Sequence, residues 1–124
     1  MDEISRLRDQ AAHLRRRRLP LENKLLTPPP MIAGSLSRIH LPCGKKECAC
    51  HKKDPAGHGP YWALNLQIGG GKRKRVYLKK KGDIHAALAY RRYQRALASY
   101  RQVTKKIDAL FNQLREHQCY TPGD

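Results

Sequence analysis

Apolar residues recur every three or four positions near the N-terminus of the chain, a spacing that indicates one face of an α-helix. The stripe consists of Ile4, Leu7, Ala11 and Leu14. Pro20 interrupts the pattern or opens a second turn, and Leu21 and Leu25 continue the same phase. We predict a helical segment over residues 1–26, followed by a stiff linker at 27–30, because the sequence TPPP is incompatible with helix.

A second, longer stripe follows residue 82, and Asp83 is a suitable N-cap for it. Its apolar positions alternate spacings of three and four, as heptads do, at Ala86, Ala89, Tyr93, Ala96, Tyr100, Val103, Ile107, Leu110 and Leu114. We predict a long helix at 83–118 and a tail at 119–124. Such a helix cannot bury its whole stripe on a small sheet, so we expect an antiparallel hairpin with the N-terminal helix or a homodimeric coiled coil.

Between these helices, over residues 31–82, the hydrophobic period changes to two, as in β-strands. GSLSRIHL at 34–41 predicts an edge strand. From Tyr61 to Ile68 polar and apolar positions interleave, GGGK turns the chain, and RKRVYLKK returns as a second strand. We predict an α+β fold, in which a small antiparallel sheet (a hairpin plus an edge strand) is flanked by an N-terminal helix and a long C-terminal helix.

The charge balance of the chain indicates a binding function in addition to the predicted fold. Lysine and arginine total 26 against 10 acidic residues in 124, a formal net charge of +16, which calls for an anionic partner. No apolar run approaches the roughly 20 residues of a membrane span, and the start MDEISRLRDQ lacks the basic and apolar regions of a secretory signal. We predict a cytoplasmic protein, compatible with nucleoid association, that has no membrane partner.

Three cysteines and a histidine follow the predicted edge strand in the order C-x4-C-x-C-x7-H, as Cys43, Cys48, Cys50 and His58. In a reducing cytoplasm, clustered cysteines hold metal more often than they form disulfides, and three thiolates with one imidazole are a common structural zinc set. His40 and His51 are rival fourth ligands. We prefer His58, because His51 adjoins Cys50 and would strain the chelate. Cys119 stands apart and is interpreted as a bystander.

The surroundings of the cluster suit structural Zn²⁺. Gly44 is expected to give the first turn its tight backbone, and Lys45, Lys46, Lys52 and Lys53 are expected to stabilise the thiolates. Four protein ligands leave no open position for water or substrate, so we predict that the metal folds the loop rather than performing chemistry.

This central stretch resembles an uncharacterised family of small bacterial and archaeal proteins, a domain of unknown function. The resemblance covers roughly residues 34–78 and rests on Gly34, Ser35, Leu36, Cys43, Gly44, Lys45, Cys48, Cys50, His58, Gly59, Pro60, Tyr61, Gly71, Lys72, Tyr77 and Leu78. It supports His58 over His51 as the fourth ligand and implies no known activity, although members of the family look like passengers of mobile elements. Three consecutive glycines, and Trp62 where tyrosine is common, are minor departures.

Basic residues fall in separate runs that we predict to contact phosphates of DNA or RNA: Arg15, Arg16, Arg17, Arg18, Lys45, Lys46, Lys72, Arg73, Lys74, Arg75, Lys79, Lys80, Lys81, Arg91 and Arg95. Arg15 to Arg18 are taken to close the N-terminal helix, and Arg91 and Arg95 to lie on an outer stripe of the long helix. Tyr61, Trp62 and Tyr77 would stack on bases if they are exposed, which favours RNA, and Trp62 is expected to pack against helix instead. We include Tyr77 among the nucleic-acid-binding residues.

The sequence therefore predicts a non-enzymatic, zinc-stabilised nucleic-acid-binding protein, and the resemblance implies an accessory subunit of a mobile-element or RNA-guided machine. One alternative is a protein-interaction adaptor that docks a larger protein or nucleoprotein through the heptad stripe. The other is a metal-dependent nuclease that uses His40, His51 or His58 with Asp54. The sequence leaves open whether the chain is a monomer or a homodimer.

Overall fold

The computed structural model describes residues 2–123 and confirms the predicted α+β fold. Two long helices, α1 (Glu3–Leu26) and α2 (Lys81–Gln118), enclose three strands along the chain: β1 (Ser35–Leu41), β2 (His58–Gly69) and β3 (Lys72–Leu78). A short 3-10 helix, Ala49–Lys52, lies between β1 and β2. The chain divides into a helical unit, Met1–Pro28 with Tyr93–Asp124, and a sheet unit, Pro29–Arg92, and α2 contributes residues to both.

The helical unit begins at a capped helix. The side chain of Asp2 accepts a hydrogen bond from the backbone N–H of Ser5 (2.7 Å), which satisfies one of the free donors at the start of α1. This bond holds the pKa of Asp2 below its ordinary value. Of the two expectations for Pro20, an interruption is not observed: α1 runs through it to Leu26, close to the end of the predicted helical segment. The apolar phase continues past Pro20 at Leu21 and Leu25, which are half-buried, and this partial burial offsets the backbone hydrogen bond that proline removes.

The core of the helical unit joins α1 to the C-terminal part of α2. Aliphatic side chains from both helices pack together there: Leu7, Ala11, Leu14, Leu110 and Leu114. At the other end of the pair, the hydroxyl of Tyr93 donates to the carbonyl oxygen of Leu25 (3.0 Å). The start of α1 thus lies beside the end of α2, so the predicted antiparallel helical hairpin is confirmed. Its central apolar position, Ile107, is fully buried.

The sheet unit contains a three-stranded antiparallel sheet in the order β1-β2-β3. The register places Leu36 of β1 opposite Leu64 of β2, and Leu64 opposite Val76 of β3. The predicted edge strand and the hairpin are both present. Three glycines at 69–71 have positive φ angles of 93°, 59° and 74°, which explains why the sequence GGG forms the turn.

Successive side chains of a strand point to opposite sides, so this register defines two faces of the sheet. One face carries Leu36, Trp62, Leu64, Leu66 and Leu78, and these pack in one cluster with Ile32 and with Ala87 and Leu88 of α2. Trp62 is half-buried in this cluster, with the guanidinium carbon of Arg38 lying 4.6 Å from its ring centre. The expectation that Trp62 packs against helix is confirmed.

The other face, which we call the open face, is formed by Ser35, Ser37, Ile39, Tyr61, Ala63, Asn65, Gln67, Arg73, Arg75 and Tyr77. Its two tyrosines and two arginines are exposed. The face contains no acidic residue.

The start of α2 differs from the prediction. The helix begins at Lys81, two residues earlier than expected, so Asp83 lies within the first turn and is not the N-cap. A carboxylate in the first turn still interacts favourably with the positive end of the helix dipole. Within residues 2–123 no helix is long and apolar enough to cross a membrane.

Candidate functional site

The four predicted metal ligands come together where β1 connects to β2. Cys43 and Cys48 lie in the connecting loop, Cys50 in the 3-10 helix, and His58 is the first residue of β2. Their ligand atoms all lie within 4.8 Å of one another, and the Cys48 Sγ is 3.4 Å from the His58 Nε2. Zinc bond lengths place the ligand atoms of a tetrahedral site roughly 3.5–3.8 Å apart. The arrangement therefore fits a metal ion after small movements.

The two rival histidines do not join this group. The Nε2 of His51 lies 2.7 Å from the carbonyl oxygen of Lys45, and therefore donates a hydrogen bond to the loop backbone. His40 is half-buried near the end of β1 and is not among the clustered ligand atoms. The geometry thus favours His58, the residue that both the spacing argument and the family resemblance select.

Lys45 organises the loop through its backbone. Its N–H donates to the Sγ of Cys43 (3.4 Å), and its carbonyl oxygen accepts from the N–H of Cys48 (3.2 Å) as well as from His51. A backbone N–H that donates to a cysteine sulfur holds that sulfur in place for a metal. Lys45, predicted to contact phosphate through its side chain, therefore also positions the first two ligands, which the sequence alone did not indicate.

The glycine that shapes the loop is Gly57 and not Gly44. Gly44 has no positive φ, and a Cβ atom there would meet nothing within 4 Å, so neither the backbone angle nor the available space at Gly44 requires a glycine. Gly57 has a φ of 104°, and a Cβ there would lie 2.5 Å from the carbonyl oxygen of Leu41. The N–H of Gly57 donates to the carbonyl oxygen of Cys50 (2.9 Å). Gly57 thus connects the end of β1 to the 3-10 helix just before His58.

The cysteines of the cluster have different electrostatic surroundings. Hydrogen bonds from the backbone N–H and then the thiol of Cys50 lower the pKa of Cys48, and the nearby charge of Lys53 lowers it further. Burial raises the pKa of Cys50, which is 2% exposed, and the neighbouring sulfur of Cys48 adds to this effect. A divalent cation would offset the repulsion between the sulfurs, because its charge favours thiolate at every ligand.

The predicted phosphate-contacting residues of the sheet unit are mostly exposed. These are Lys45 and Lys46 in the ligand loop, Lys72, Arg73, Lys74 and Arg75 on β3, and Lys79, Lys80 and Lys81 after it. The unit contains 14 lysine and arginine residues against three acidic residues, which gives it a net charge of +11 out of the +16 of the whole chain. The positive charge is therefore concentrated on the unit that holds the candidate metal centre.

Arg91 differs from its predicted role. It is half-buried, and its guanidinium donates to the carbonyl oxygen of Leu36, so it ties α2 to β1 and is not a member of an outer basic stripe. Arg95 is exposed and belongs to the helical unit.

The four arginines of α1 lie in the middle of that helix, which continues to Leu26, and not at its end as expected. Arg15, Arg16 and Arg17 are exposed, whereas the Nε of Arg18 pairs with the Oε1 of Glu22 at 3.1 Å. These residues belong to the helical unit, so the exposed arginines there form a basic run of their own.

Comparison with known proteins gives a family and no function. Neither the curated proteins nor the solved structures yield a match. The sequence model of one family, described as "Domain of unknown function (DUF6788)", matches residues 11–85. The matched range contains all four clustered ligands and the whole sheet. The chain therefore belongs to the DUF6788 family of domains of unknown function.

Proposed function

We propose that this protein is a non-enzymatic nucleic-acid-binding protein whose sheet unit is stabilised by structural Zn²⁺. The observation that carries the proposal is the concentration of charge: +11 on the 64 residues of the sheet unit, with exposed Lys72, Arg73, Lys74 and Arg75 on a single strand. Residues 55–82 contain no carboxylate that could neutralise this strand. A polyanion that offers closely spaced phosphates satisfies such a surface.

The ligand set supports zinc in a structural role. Three sulfurs and one imidazole match the soft and borderline ligands that zinc prefers, and four protein ligands complete a tetrahedral shell. A metal ion that catalyses hydrolysis would need an open coordination position for water or substrate. Of the histidines that the nuclease alternative could use (His40, His51 or His58), His51 is hydrogen-bonded to the loop backbone. We therefore favour binding over catalysis.

Less of the heptad stripe is exposed for a partner protein than the adaptor alternative requires. Val103, Ile107 and Leu110 of the heptad stripe are buried, and Leu110 packs against α1 within the same chain. Docking of a larger partner on this stripe, and the accessory role in a mobile-element or RNA-guided machine that the resemblance implies, stay predictions.

The proposal is tested by measuring the affinity of the purified chain for labelled DNA and RNA as a function of salt. We expect the logarithm of the binding constant to fall linearly with the logarithm of salt concentration, by about 0.7–0.9 per phosphate contacted. Changing Lys72, Arg73, Lys74 and Arg75 together to alanine should weaken binding at low salt by at least about tenfold and reduce this slope.

A matched control removes the same number of charges from the helical unit, at exposed positions outside the proposed surface. Lys24, Arg101, Lys105 and Arg115 meet this condition. Their replacement by alanine should leave most of the affinity intact. Equal losses in the two variants would mean that net charge alone, and not the sheet unit, attracts nucleic acid. No binding by the wild-type chain at low salt would refute the proposal.

A further inference from the structure

The open face of the sheet has a composition that the proposed function does not by itself require. Tyr61 and Tyr77 are each 41% exposed there, although the opposite face of the same strands buries Trp62 and Leu64 in the core. Arg73 and Arg75 extend the face along β3, and none of its residues is acidic. Exposed aromatic rings and guanidinium groups thus share one surface.

The register places the two tyrosines close together. Tyr77 pairs directly with Ala63, and Tyr61 lies two residues before Ala63 on the same strand, so the rings are diagonal neighbours. Such neighbours are separated by about 7–8 Å at the backbone, within reach of aromatic side chains. Ala63, at 0% exposure, lies between them, which indicates that larger side chains cover it on this face. The two rings and the small residue between them form a continuous patch.

The arginines are held beside this patch. Asn65 pairs with Arg75 across β2 and β3, and the Nε–H of Arg75 donates to the Oδ1 of Asn65 (3.1 Å). This bond uses one of the five N–H donors of the guanidinium and fixes its plane on the open face, so four donors remain to meet a phosphate. Arg73 follows at the next position of the face, opposite Gln67.

We propose that the open face binds single-stranded nucleic acid, with bases stacked on Tyr61 and Tyr77 and phosphates contacted by Arg73 and Arg75; this inference rests on the proposed function and specifies its substrate. The faces of bases in a duplex are covered by their neighbours, which stack about 3.4 Å apart. Rings about 7–8 Å apart can each receive a base only if successive bases are unstacked, as in a single strand. The cationic, carboxylate-free surface complements the strand's phosphates.

The experiment compares labelled 12-nucleotide strands of DNA and RNA, single or annealed to their complements, binding to the zinc-loaded full chain. We expect single strands to bind more tightly than duplexes. Tyr61→Ala and Tyr77→Ala should each weaken single-strand binding about 5- to 150-fold, whereas Tyr61→Phe and Tyr77→Phe, which keep the ring, should stay near wild type. RNA and DNA arms show whether the 2′-hydroxyl contributes to binding.

Two controls separate stacking from charge and from folding. Tyr120 is exposed in the C-terminal tail of the helical unit, so Tyr120→Ala removes an aromatic ring that is not part of the open face and should not affect affinity. Arg75→Ala should cost more affinity than Lys74→Ala, because Lys74 lies on the same strand but points to the opposite face. The tyrosine variants should keep the wild-type salt slope, because they remove no charge. Their melting, followed by the fluorescence of Trp62 in the sheet-unit core, shows whether the sheet unit is folded.

The outcomes distinguish this inference from the proposed function. Equal affinity for single strands and duplexes, together with silent Tyr61→Ala and Tyr77→Ala variants, would overturn the stacking surface. If, in that case, alanine at residues 72–75 still weakened binding, the proposed function of general nucleic-acid binding would stand. Absence of binding to any strand at low salt would overturn both.

Discussion

Gly57→Ala should destabilise the sheet unit severely, although it adds one methyl group. A φ of 104° lies in a region that L-residues rarely adopt, which costs about 1–3 kcal/mol. The new Cβ would also lie 2.5 Å from the carbonyl oxygen and 2.7 Å from the carbonyl carbon of Leu41. These are backbone atoms at the end of β1 and cannot rotate away, so overpacking adds about 1–3 kcal/mol.

Together these effects give a loss of about 2–6 kcal/mol in the free energy of unfolding, or a fall of at least about 8 °C in melting temperature for a chain of this size. Trp62, the only tryptophan of the chain, is packed in the sheet-unit core, so its fluorescence reports on melting of that unit. Zinc affinity, measured by competition with a chromophoric chelator, should fall as well, because Gly57 precedes the ligand His58.

Gly44→Ala is the matched control. Gly44 lies in the same loop, has no positive φ, and has open space where the new Cβ would lie. The melting temperature of the Gly44→Ala variant should therefore stay within about 2 °C of wild type. If Gly57→Ala also melted within about 3 °C of wild type and bound zinc equally well, the close approach of Gly57 to Leu41 would be wrong.

Three other changes test separate parts of the molecule. His58→Ala should abolish stoichiometric zinc binding by elemental analysis, whereas His51→Ala should retain the metal with reduced affinity, because His51 supports the loop and is not a ligand. Tyr93→Phe should cost about 0.5–1.5 kcal/mol in denaturant unfolding, through loss of its hydrogen bond to the carbonyl of Leu25. Folding lowers the pKa of Asp2, so the Asp2 carboxylate stabilises the folded chain at pH values above its unfolded pKa. This stabilisation is lost as the pH falls through the folded pKa. Asp2→Asn should remove this part of the pH dependence of the free energy of unfolding.

The parts of the structure that follow from short-range pattern could be predicted from the sequence. The alternation from Tyr61 to Gln67 and the glycines at 69–71 identify the hairpin, because strand period and turn chemistry are local properties. The four ligands lie within 16 consecutive residues, so their spacing alone identifies the cluster. The alternation also separates Tyr61 from Trp62, since neighbouring residues of a strand point to opposite faces.

The features that were missed depend on contacts between distant segments. The backbone of Leu41 leaves no room for a side chain at Gly57, and no local sequence rule connects these two positions. Arg91 looks solvent-facing in a helical stripe, yet its partner is the carbonyl of Leu36, 55 residues earlier.

The positive charge on which the proposed polyanion binding rests also opposes folding of the sheet unit, and a structural metal ion in the same unit would offset that cost. A unit of 64 residues buries a modest core, with Leu36, Leu64 and Ala87 as its buried cluster. A net charge of +11 on so few residues adds self-repulsion to the free energy of the compact state. In the proposed site, zinc binding would supply folding free energy without an additional core, because the four candidate ligands come together only in the folded loop. The ligand His58 begins β2, and Tyr61 follows three residues later on the same strand. Under the proposed function, metal binding would therefore stabilise the strand that carries the proposed stacking surface.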